Sequence, residues 1–540
     1  IWVKFSGEKT KKDFNKIYKN KSTKYIIVLG KQKFIRGAFV MDIVSNEKVN
    51  FNSLEQNIYK KMMELGRKLI QDELRIIDKL ILDNRDSDLF KPKDFQPTTI
   101  KSRLGEIPIA RRRYKMKING TTKYVYLLDE LLEINEFGEY SQSVVEMITR
   151  EITKKSYRET AKTISEDTDS YISYTAVRNI VLALGKKIKK LEEEKIKLYE
   201  QGKIEGSKEA QYVFCEHDGI YVKKQKSKKQ KGKKKFRVKH FKNKKNKKKK
   251  RKGIELKIAV IHEGKEPRYT NDYKLKNKII IGTASKASQL KKIEDATIGT
   301  TYKEHKIRNV VINGDGADWT GSIVEGAKEL FQLDMAHIQK KIYMAVSDEE
   351  YLKKMQEIVY TEKAQDIFSL IFNYKVELET DNKIAELEKV SELEEYLKNN
   401  QGGILRYQYR LGYKEEELEE YREKLPSLGS EESQMYSVCR DRMKKNRTSW
   451  SIEGAEAMLK VIMNKMNGTL TKIITSEAKE KIIEELSQRI AEPVKVRKVK
   501  YNELIYAGKY KIADNFVGGS KKFIIDLLKG KKCSELMLIN

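Results

Sequence analysis

The stretch Asn309-Val310-Val311-Ile312-Asn313-Gly314-Asp315-Gly316 decides how this chain is read. A short apolar run closed by Gly-Asp-Gly is the pattern of a buried strand running into a turn. Ligand sites in open α/β sheets gather at the carboxyl ends of strands, where Asp315 falls. Gly314 and Gly316 let backbone approach closely there. A second acid interrupts the strand-like run Tyr212-Val213-Phe214-Cys215-Glu216-His217-Asp218-Gly219-Ile220-Tyr221-Val222. Alternation places Asp218 on the face of Phe214 and Ile220. A carboxylate inside a strand is costly unless a metal or a hydrogen bond compensates it. Either acid alone could simply end a strand or cap a turn. Together they suit a hard divalent cation, which takes oxygen ligands.

Working outward, 212–222, 254–262 and 273–282 read as three strands. A helix near 289–302, a strand at 309–313, a helix at 319–330 and a strand at 330–334 follow. A three-strand meander and then alternating helix and strand predicts an RNase H-like mixed sheet. Its first part spans 210–340 and its second 429–465, with the charged helical stretch 341–428 as an all-helical insertion. The fold class is thus a multidomain α/β protein. Upstream, 41–97 is helical, mainly over 52–83, and is closed by Pro92 and Pro97. The segment 98–130 reads as a basic β-hairpin turning at Asn119-Gly120 between 114–118 and 124–128. It carries Arg111, Arg112 and Arg113, either a solvated strand edge or a DNA contact. In 131–190, Ser156 and Ser173 suit the N-caps of two helices, the second ending at Gly185-Lys186. That is a helix-turn-helix outline, with Thr175, Arg178 and Asn179 facing a major groove. A helical linker fills 191–209.

The 540 residues include 112 Lys+Arg and 79 Asp+Glu, a formal net charge of +33. Residues 223–252 alone hold 20 Lys+Arg and no acid, leaving +13 for the remainder. This run suits backbone contact with nucleic acid, or a plain solvated tract. With only 6 prolines and abundant Lys, Ile, Asn and Tyr, the composition fits an A+T-rich genome, so part of the lysine excess is codon bias. Cys215, Cys439 and Cys533 cannot build a disulfide framework and lack metal-finger spacing. No apolar run approaches the roughly 20 residues of a membrane helix. Residues 1–40, basic and irregular, read as an upstream extension. The region 466–540 offers one further helix, over 476–490.

Phosphodiester chemistry on DNA commonly uses two divalent cations about 3.5–4 Å apart, gripped by acids from separate elements. Two helices compete to supply the third acid. After Ser430, the stripe Met435, Cys439, Met443 extends back to Glu432, directing it inward. After Ser451, Glu453 lies off the stripe Ile452, Ala455, Leu459, Ile462, in a first turn where an acid suits the helix dipole. Glu432 is preferred. Its helix carries Arg440, Arg442, Lys444 and Lys445, a set suited to phosphate. Asp334 and His337, three residues apart after a strand, could orient a ligand or touch a phosphate, or form a structural pair.

These motifs resemble the bacterial insertion-sequence transposases of the Lre-two type, related to Mutator-like elements. The similarity runs from about Met41 to Lys465. It takes in Leu104-Gly105-Glu106-Ile107, Arg111-Arg112-Arg113-Tyr114, Tyr126-Leu127-Leu128-Asp129-Glu130 and Ser156-Tyr157-Arg158-Glu159. Further on it takes in Asn313-Gly314-Asp315-Gly316-Ala317-Asp318-Trp319, Phe331-Gln332-Leu333-Asp334 with His337, and Arg442-Met443-Lys444 before Trp450-Ser451. The resemblance implies a DDE triad of Asp218, Asp315 and Glu432 holding two Mg²⁺ or Mn²⁺ ions, with Asp334 and His337 as an accessory box. The Lys-rich run departs from the family pattern and reads as an expanded hairpin tip. The implied activity is cleavage at element ends followed by joining of the 3′-hydroxyl to target DNA. The implied partners are double-stranded DNA (terminal inverted repeats and target) and further copies of the chain in a dimer or larger synaptic complex. The implied location is the bacterial cytoplasm, at the nucleoid. The rivals are a catalytically inactive DNA-binding regulator and a nuclease that cuts without joining.

Overall fold

The computed structural model describes residues 50–475, apart from 119–120, 133, 135–136, 226–252, 270–271, 322–323, 325, 419, 422, 430–438 and 446–447. Residues 1–40, most of the Lys-rich run, Glu432 and the helix expected over 476–490 therefore lie outside the described residues. The described chain falls into two compact units, one built from residues up to 94 and from 112–131, the other from 95–111 and 132–475.

The first unit opens with α1 (Phe51–Asn84), started by a capping box. The Asn50 side chain accepts from the Ser53 N–H, and Ser53 returns the bond. Strands β1 (Phe90–Ser102), β2 (Gly105–Ile118) and β3 (Thr121–Val125) form a sheet in the order β1-β2-β3. Register from Tyr114↔Val125 to Ile118↔Thr121 brackets the two-residue turn expected at 119–120. Two details differ from the sequence reading. Pro92 and Pro97 lie within β1 rather than before it, and β1 is an edge strand, where a missing N–H can face away from the ladder. Leu127 and Leu128 open a helix, α2 (Leu127–Leu132). Both are buried, which one helix face permits and an alternating strand does not.

The second unit is mixed α/β. Three helices come first: α3 (Gln142–Ile152), α4 (Tyr157–Thr168) and α5 (Tyr174–Glu200). Ser156 and Ser173 cap the latter two as expected, their side chains accepting from the Glu159 and Ala176 N–H groups. The second helix runs past Gly185, however. A Cβ on Gly185 would lie 2.4 Å from the Ala457 Cβ of α13 (Ile452–Met466), so this glycine is a crossing point of two helices and not a C-cap.

The central sheet has five strands, β4 (Tyr212–Lys223), β5 (Gly253–His262), β8 (Ile279–Thr283), β9 (Asn309–Gly314) and β10 (Glu329–Leu333), ordered β10-β9-β4-β5-β8. The pairs β4–β5 and β5–β8 are antiparallel, and β4–β9 and β9–β10 parallel. Register continues to Lys223↔Gly253, so the Lys-rich run joins the ends of one hairpin. The third expected strand is divided at Asn277, whose φ of 53° interrupts an extended run. Its first half, β7 (Asp272–Leu275), pairs with β6 (Lys265–Tyr269) outside the sheet. Among the described residues, the helix expected over 319–330 is present as the single turn α7 (Asp318–Gly321).

Helix α6 (Ala287–Thr301) covers one sheet face, burying Val213, Cys215, Ala259, Ile261, Val310 and Ile312. Helices α3, α4, α5 and α13 cover part of the other, over Ile220, Val222, Leu256, Ile258 and Ile280. The expected helical insertion is present as α8 (Met335–Ala345), α9 (Glu349–Ile358), α10 (Ile367–Thr380), α11 (Ile384–Asn399) and the short α12 (Tyr407–Arg410), with its own apolar core. The last described helix is α14 (Leu470–Thr475).

Replacing an interior helical glycine by alanine ordinarily stabilises by about 1 kcal/mol. At Gly185 the added methyl collides with Ala457, so Gly185→Ala lowers Tm in thermal unfolding. A rise in Tm would show that the two helices are not in contact there.

Candidate active site

Backbone register does the work of assembling the acids. In the β4–β9 pair Tyr212 lies opposite Asn309 and Glu216 opposite Asn313. Two residues further, Asp218 is level with Asp315. In the β9–β10 pair Leu333 lies opposite Gly314, and the Asp334 N–H donates to the Gly314 carbonyl at 2.8 Å. Asp334 is therefore level with Asp315 on its other side. Adjacent strands lie about 4.8 Å apart, which lets carboxylates from neighbouring strands reach one cation. The His337 imidazole lies in the field of the same acids. Its pKa is raised, first by its hydrogen bond to Asp334 and then by the charges of Asp334, Asp315 and Asp218, against a lowering by burial.

Side-chain direction follows alternation. Tyr212 and Phe214 pack with Val311 on one sheet face, and Ile220 and Val222 join the helical core on that face. Glu216 and Asp218 fall between these two apolar patches, as the sequence pattern predicts. Asp218 is half-buried, and its Oδ1 accepts from the Gly219 N–H at 2.5 Å. Asp315 Oδ1 accepts from the Ala317 N–H at 2.9 Å, the geometry of an Asx turn. Gly316 turns the chain with φ 77°, and the Tyr396 hydroxyl donates to the Asp315 carbonyl at 2.9 Å. Asp334 caps α8 through the Ala336 N–H and bonds His337 Nδ1 at 2.8 Å. Its carboxylate is thus engaged within the protein. Among the described residues no set of three His, Cys, Asp or Glu side chains converges as a metal site. Asp218 and Asp315 are a two-carboxylate oxygen donor set of the kind a hard cation takes.

Glu432 lies outside the described residues, but the chain leading to it does not. A Cβ on Gly429 would stand 2.7 Å from Asp334 Oδ1, and the Gly429 N–H donates to Glu216 Oε2 at 3.0 Å. The segment that carries Glu432 therefore departs from the acid row. Its rival Glu453 is exposed in the first turn of α13, behind the Ser451 cap.

Sequence reasoning passed over Glu216, an acid buried two residues before Asp218. Its Oε1 meets His262 Nε2 at 3.1 Å, while the Gly264 N–H lies 3.1 Å from His262 Nδ1. His262 Nδ1 also lies 3.2 Å from the Gly264 carbonyl oxygen. Glu216 thereby ties β4, β5 and the Gly429 turn together.

The expected DNA-facing residues are placed unevenly. Thr175, Arg178 and Asn179 are exposed near the start of α5, beside the exposed Tyr171 and Tyr174. Arg440 and Lys444 are also exposed, and Lys445 pairs with Asp441 at 2.5 Å. Arg112 pairs with Asp78 at 3.1 Å and Arg113 with Asp94, so both charges are engaged internally. Arg111 is half-buried. Arg442 departs from expectation. It is 7% exposed, lies 5.5 Å from the Tyr157 ring and 5.1 Å from Trp450, and donates to the Ile152 carbonyl at 2.6 Å. Burial holds its pKa below the usual guanidinium value. Its place three residues after the buried Cys439, on the same side of the helix, is the signal that marks it as a packing residue.

A family described as "Uncharacterised protein family (UPF0236)" matches residues 44–254 and 232–481. The UPF0236 protein TTE2489 of Caldanaerobacter subterraneus subsp. tengcongensis is 25% identical over 439 residues, covering 79% of this chain and 81% of the relative. A second UPF0236 protein of that organism is 26% identical over 443 residues, covering 80% and 81%, and its name joins eleven locus labels. A third, 26% identical over 442 residues and covering 79% and 80%, joins four.

Removing the Glu216 carboxylate leaves the Gly429 N–H and the His262 ring without their acceptor, at a cost of about 1–3 kcal/mol. Glu216→Ala thus lowers Tm and frees the 429 turn to faster amide exchange. Unchanged exchange at Gly429 would remove Glu216 from this role.

Proposed function

The chain belongs to the UPF0236 family, and we propose that it is a DNA transposase that cleaves phosphodiester bonds at the ends of an insertion sequence and joins the freed 3′-hydroxyl to target DNA. The observation that carries this reading is the register that sets Asp218, midway along β4, level with Asp315 just past the carboxyl end of the parallel β9, with Gly429, three residues before Glu432, against Asp334 on the far side of Asp315. The sheet supports it. Three antiparallel strands followed by two parallel ones is the arrangement expected of an RNase H-like core. The eleven locus labels under one relative's name support it as well, since a DNA segment that copies itself leaves identical coding regions across a genome.

Mg²⁺ or Mn²⁺ held by Asp218, Asp315 and Glu432 would supply Lewis-acid activation of the phosphate and of the attacking oxygen. The chain's own residues position the reaction. The Asx turn and the Tyr396 hydroxyl fix Asp315 from both sides of its backbone. His337, 40% exposed and held toward its cationic form by Asp334, suits a phosphate oxygen at the rim. The helix-turn-helix formed by α4 and α5 reads the terminal inverted repeats through Thr175, Arg178 and Asn179. Arg440 and Lys444 contact the DNA backbone, and the Lys-rich hairpin tip adds sequence-independent affinity. Two ends must be held together, so the working species is at least a dimer. Its place of action is the bacterial nucleoid. Among the described residues no helix is long and apolar enough to cross a membrane.

Asp218→Asn and Asp315→Asn each reduce Mg²⁺-dependent cleavage of a duplex bearing the element ends by at least about 1000-fold, a barrier rise of about 4 kcal/mol. Glu432→Gln does the same and Glu453→Gln does not. Undiminished cleavage by Asp218→Asn contradicts the metal-ligand assignment, and cleavage without strand transfer into a plasmid identifies a nuclease instead. In metal-free buffer, excising 226–252 makes DNA affinity less dependent on salt, because fewer counterions are released on binding. An unchanged slope of log Kd against log salt would show that the run does not touch DNA.

A further inference from the structure

Beside the acid row lies a cavity of about 260 Å³, lined by Asn313, Gln332, Met335, Tyr360, Arg406 and Tyr407, with the turn ending at Gly429 on its rim. Asn313 is 1% exposed, and among the described residues neither its Nδ2 nor its Oδ1 has a hydrogen-bond partner. Buried carboxamides rarely stay unpaired, because burial without partners costs most of their hydration. The neighbouring amides obey that rule. Gln332 Nε2 donates to the carbonyls of Leu333 and Gly403 at 2.9 and 3.1 Å, and its Oε1 accepts from the Tyr407 N–H at 2.7 Å. Gln408 Nε2 approaches the carbonyls of Leu425 and Pro426 at 3.4 and 3.5 Å. Asn313 instead lines the cavity with both its donor and its acceptor unpaired among the described residues.

Resting on the transposase reading, we propose that this cavity receives one unstacked nucleobase of the DNA strand being cut, with the Asn313 carboxamide pairing to its edge. A carboxamide matches a nucleobase edge with two antiparallel hydrogen bonds, as Asn and Gln do with adenine. The position fits this occupant. Asn313 is on the same strand and face as Asp315, two residues away, or roughly 6.6 Å along the strand, so a phosphate at Asp315 leaves its adjacent base near the cavity. The size fits as well, since pockets for drug-sized ligands begin at about 300 Å³ and this one is smaller. The walls are Tyr407, Met335 and the partly exposed Tyr360, and apolar and aromatic surfaces are where unstacked bases rest. Arg406, whose Nη1 donates to the Tyr360 carbonyl at 3.4 Å, brings a guanidinium to the mouth.

The test uses the full chain in EDTA, so that cleavage plays no part. The probe is a twelve-residue single-stranded oligodeoxynucleotide of thymidines carrying a single 2-aminopurine, whose amino group and ring nitrogens keep a donor beside an acceptor. Saturating binding changes 2-aminopurine emission several-fold in the wild type and in Asp315→Asn. Asn313→Leu abolishes that change and weakens Kd about ten-fold, while its Tm stays equal or rises because an unpaired amide has been removed. An abasic residue in place of the 2-aminopurine weakens wild-type binding by a similar factor. Unchanged emission with the wild type overturns the proposal whether or not the variant folds. So does a fall in Tm for Asn313→Leu, which would make the amide a structural hydrogen-bonding group. Free 2-aminopurine riboside binding as tightly as the oligonucleotide would also overturn it, by identifying a site for free nucleosides. Absence of metal-dependent cleavage would defeat the transposase reading alone and leave the base-binding result standing.

Discussion

Everything at the acid end of the sheet depends on one constraint, the hydrogen-bond register of β4 against β9. Side chains in a strand alternate with a period of two, so a one-residue slip would send Asp315 to the α6 face while Asp218 stayed where it is. Register is held by burial on both faces. Val213 and Cys215 with Val310 and Ile312 pack under α6, and Phe214 with Val311 packs opposite under Tyr407. The same ladder passes through β9 to β10 and aligns Asp334. Residues 218, 315 and 334, distant in sequence, come level along adjacent strands because two parallel pairings are fixed by apolar residues.

The second supporting layer is polar. Glu216, buried between two apolar patches, takes one bond from His262 on β5 and one from the Gly429 backbone. A carboxylate so placed links sheet order to the path of the segment that leaves for Glu432. Within the helical layer, the Lys460 ammonium, 1% exposed, meets Glu192 at 2.6 Å and anchors α13 to α5. Breaking such a pair by removing one partner leaves a buried charge, so these contacts specify geometry more than they add stability.

Much of this was legible in the sequence, and the gaps have physical causes. The two acid-bearing strands, the meander, the helical insertion and the serine caps of α4 and α5 could be read because short-range periodicity and cap chemistry encode them. Gly185 misled because a glycine at a helix crossing and a glycine at a C-cap look alike until the partner, 272 residues away at Ala457, is in place. Pro92 and Pro97 misled because only sheet order reveals that their strand is an edge. Arg442 was read by its charge, although it is buried against the Tyr157 and Trp450 rings. Glu216 and Asn313 went unnoticed because nothing local shows that a polar residue within a strand faces a turn or a cavity. In each case the missing information was a long-range partner.

The central claim concerns a shared ion, and crystals soaked in Mn²⁺ test it most directly. The account predicts an anomalous peak about 2.0–2.4 Å from carboxylate oxygens of both Asp218 and Asp315, with a Glu432 oxygen completing the contact set. A peak that touches neither aspartate, or carboxylates of Asp218 and Asp315 too far apart to share an ion in well-ordered density, would contradict it.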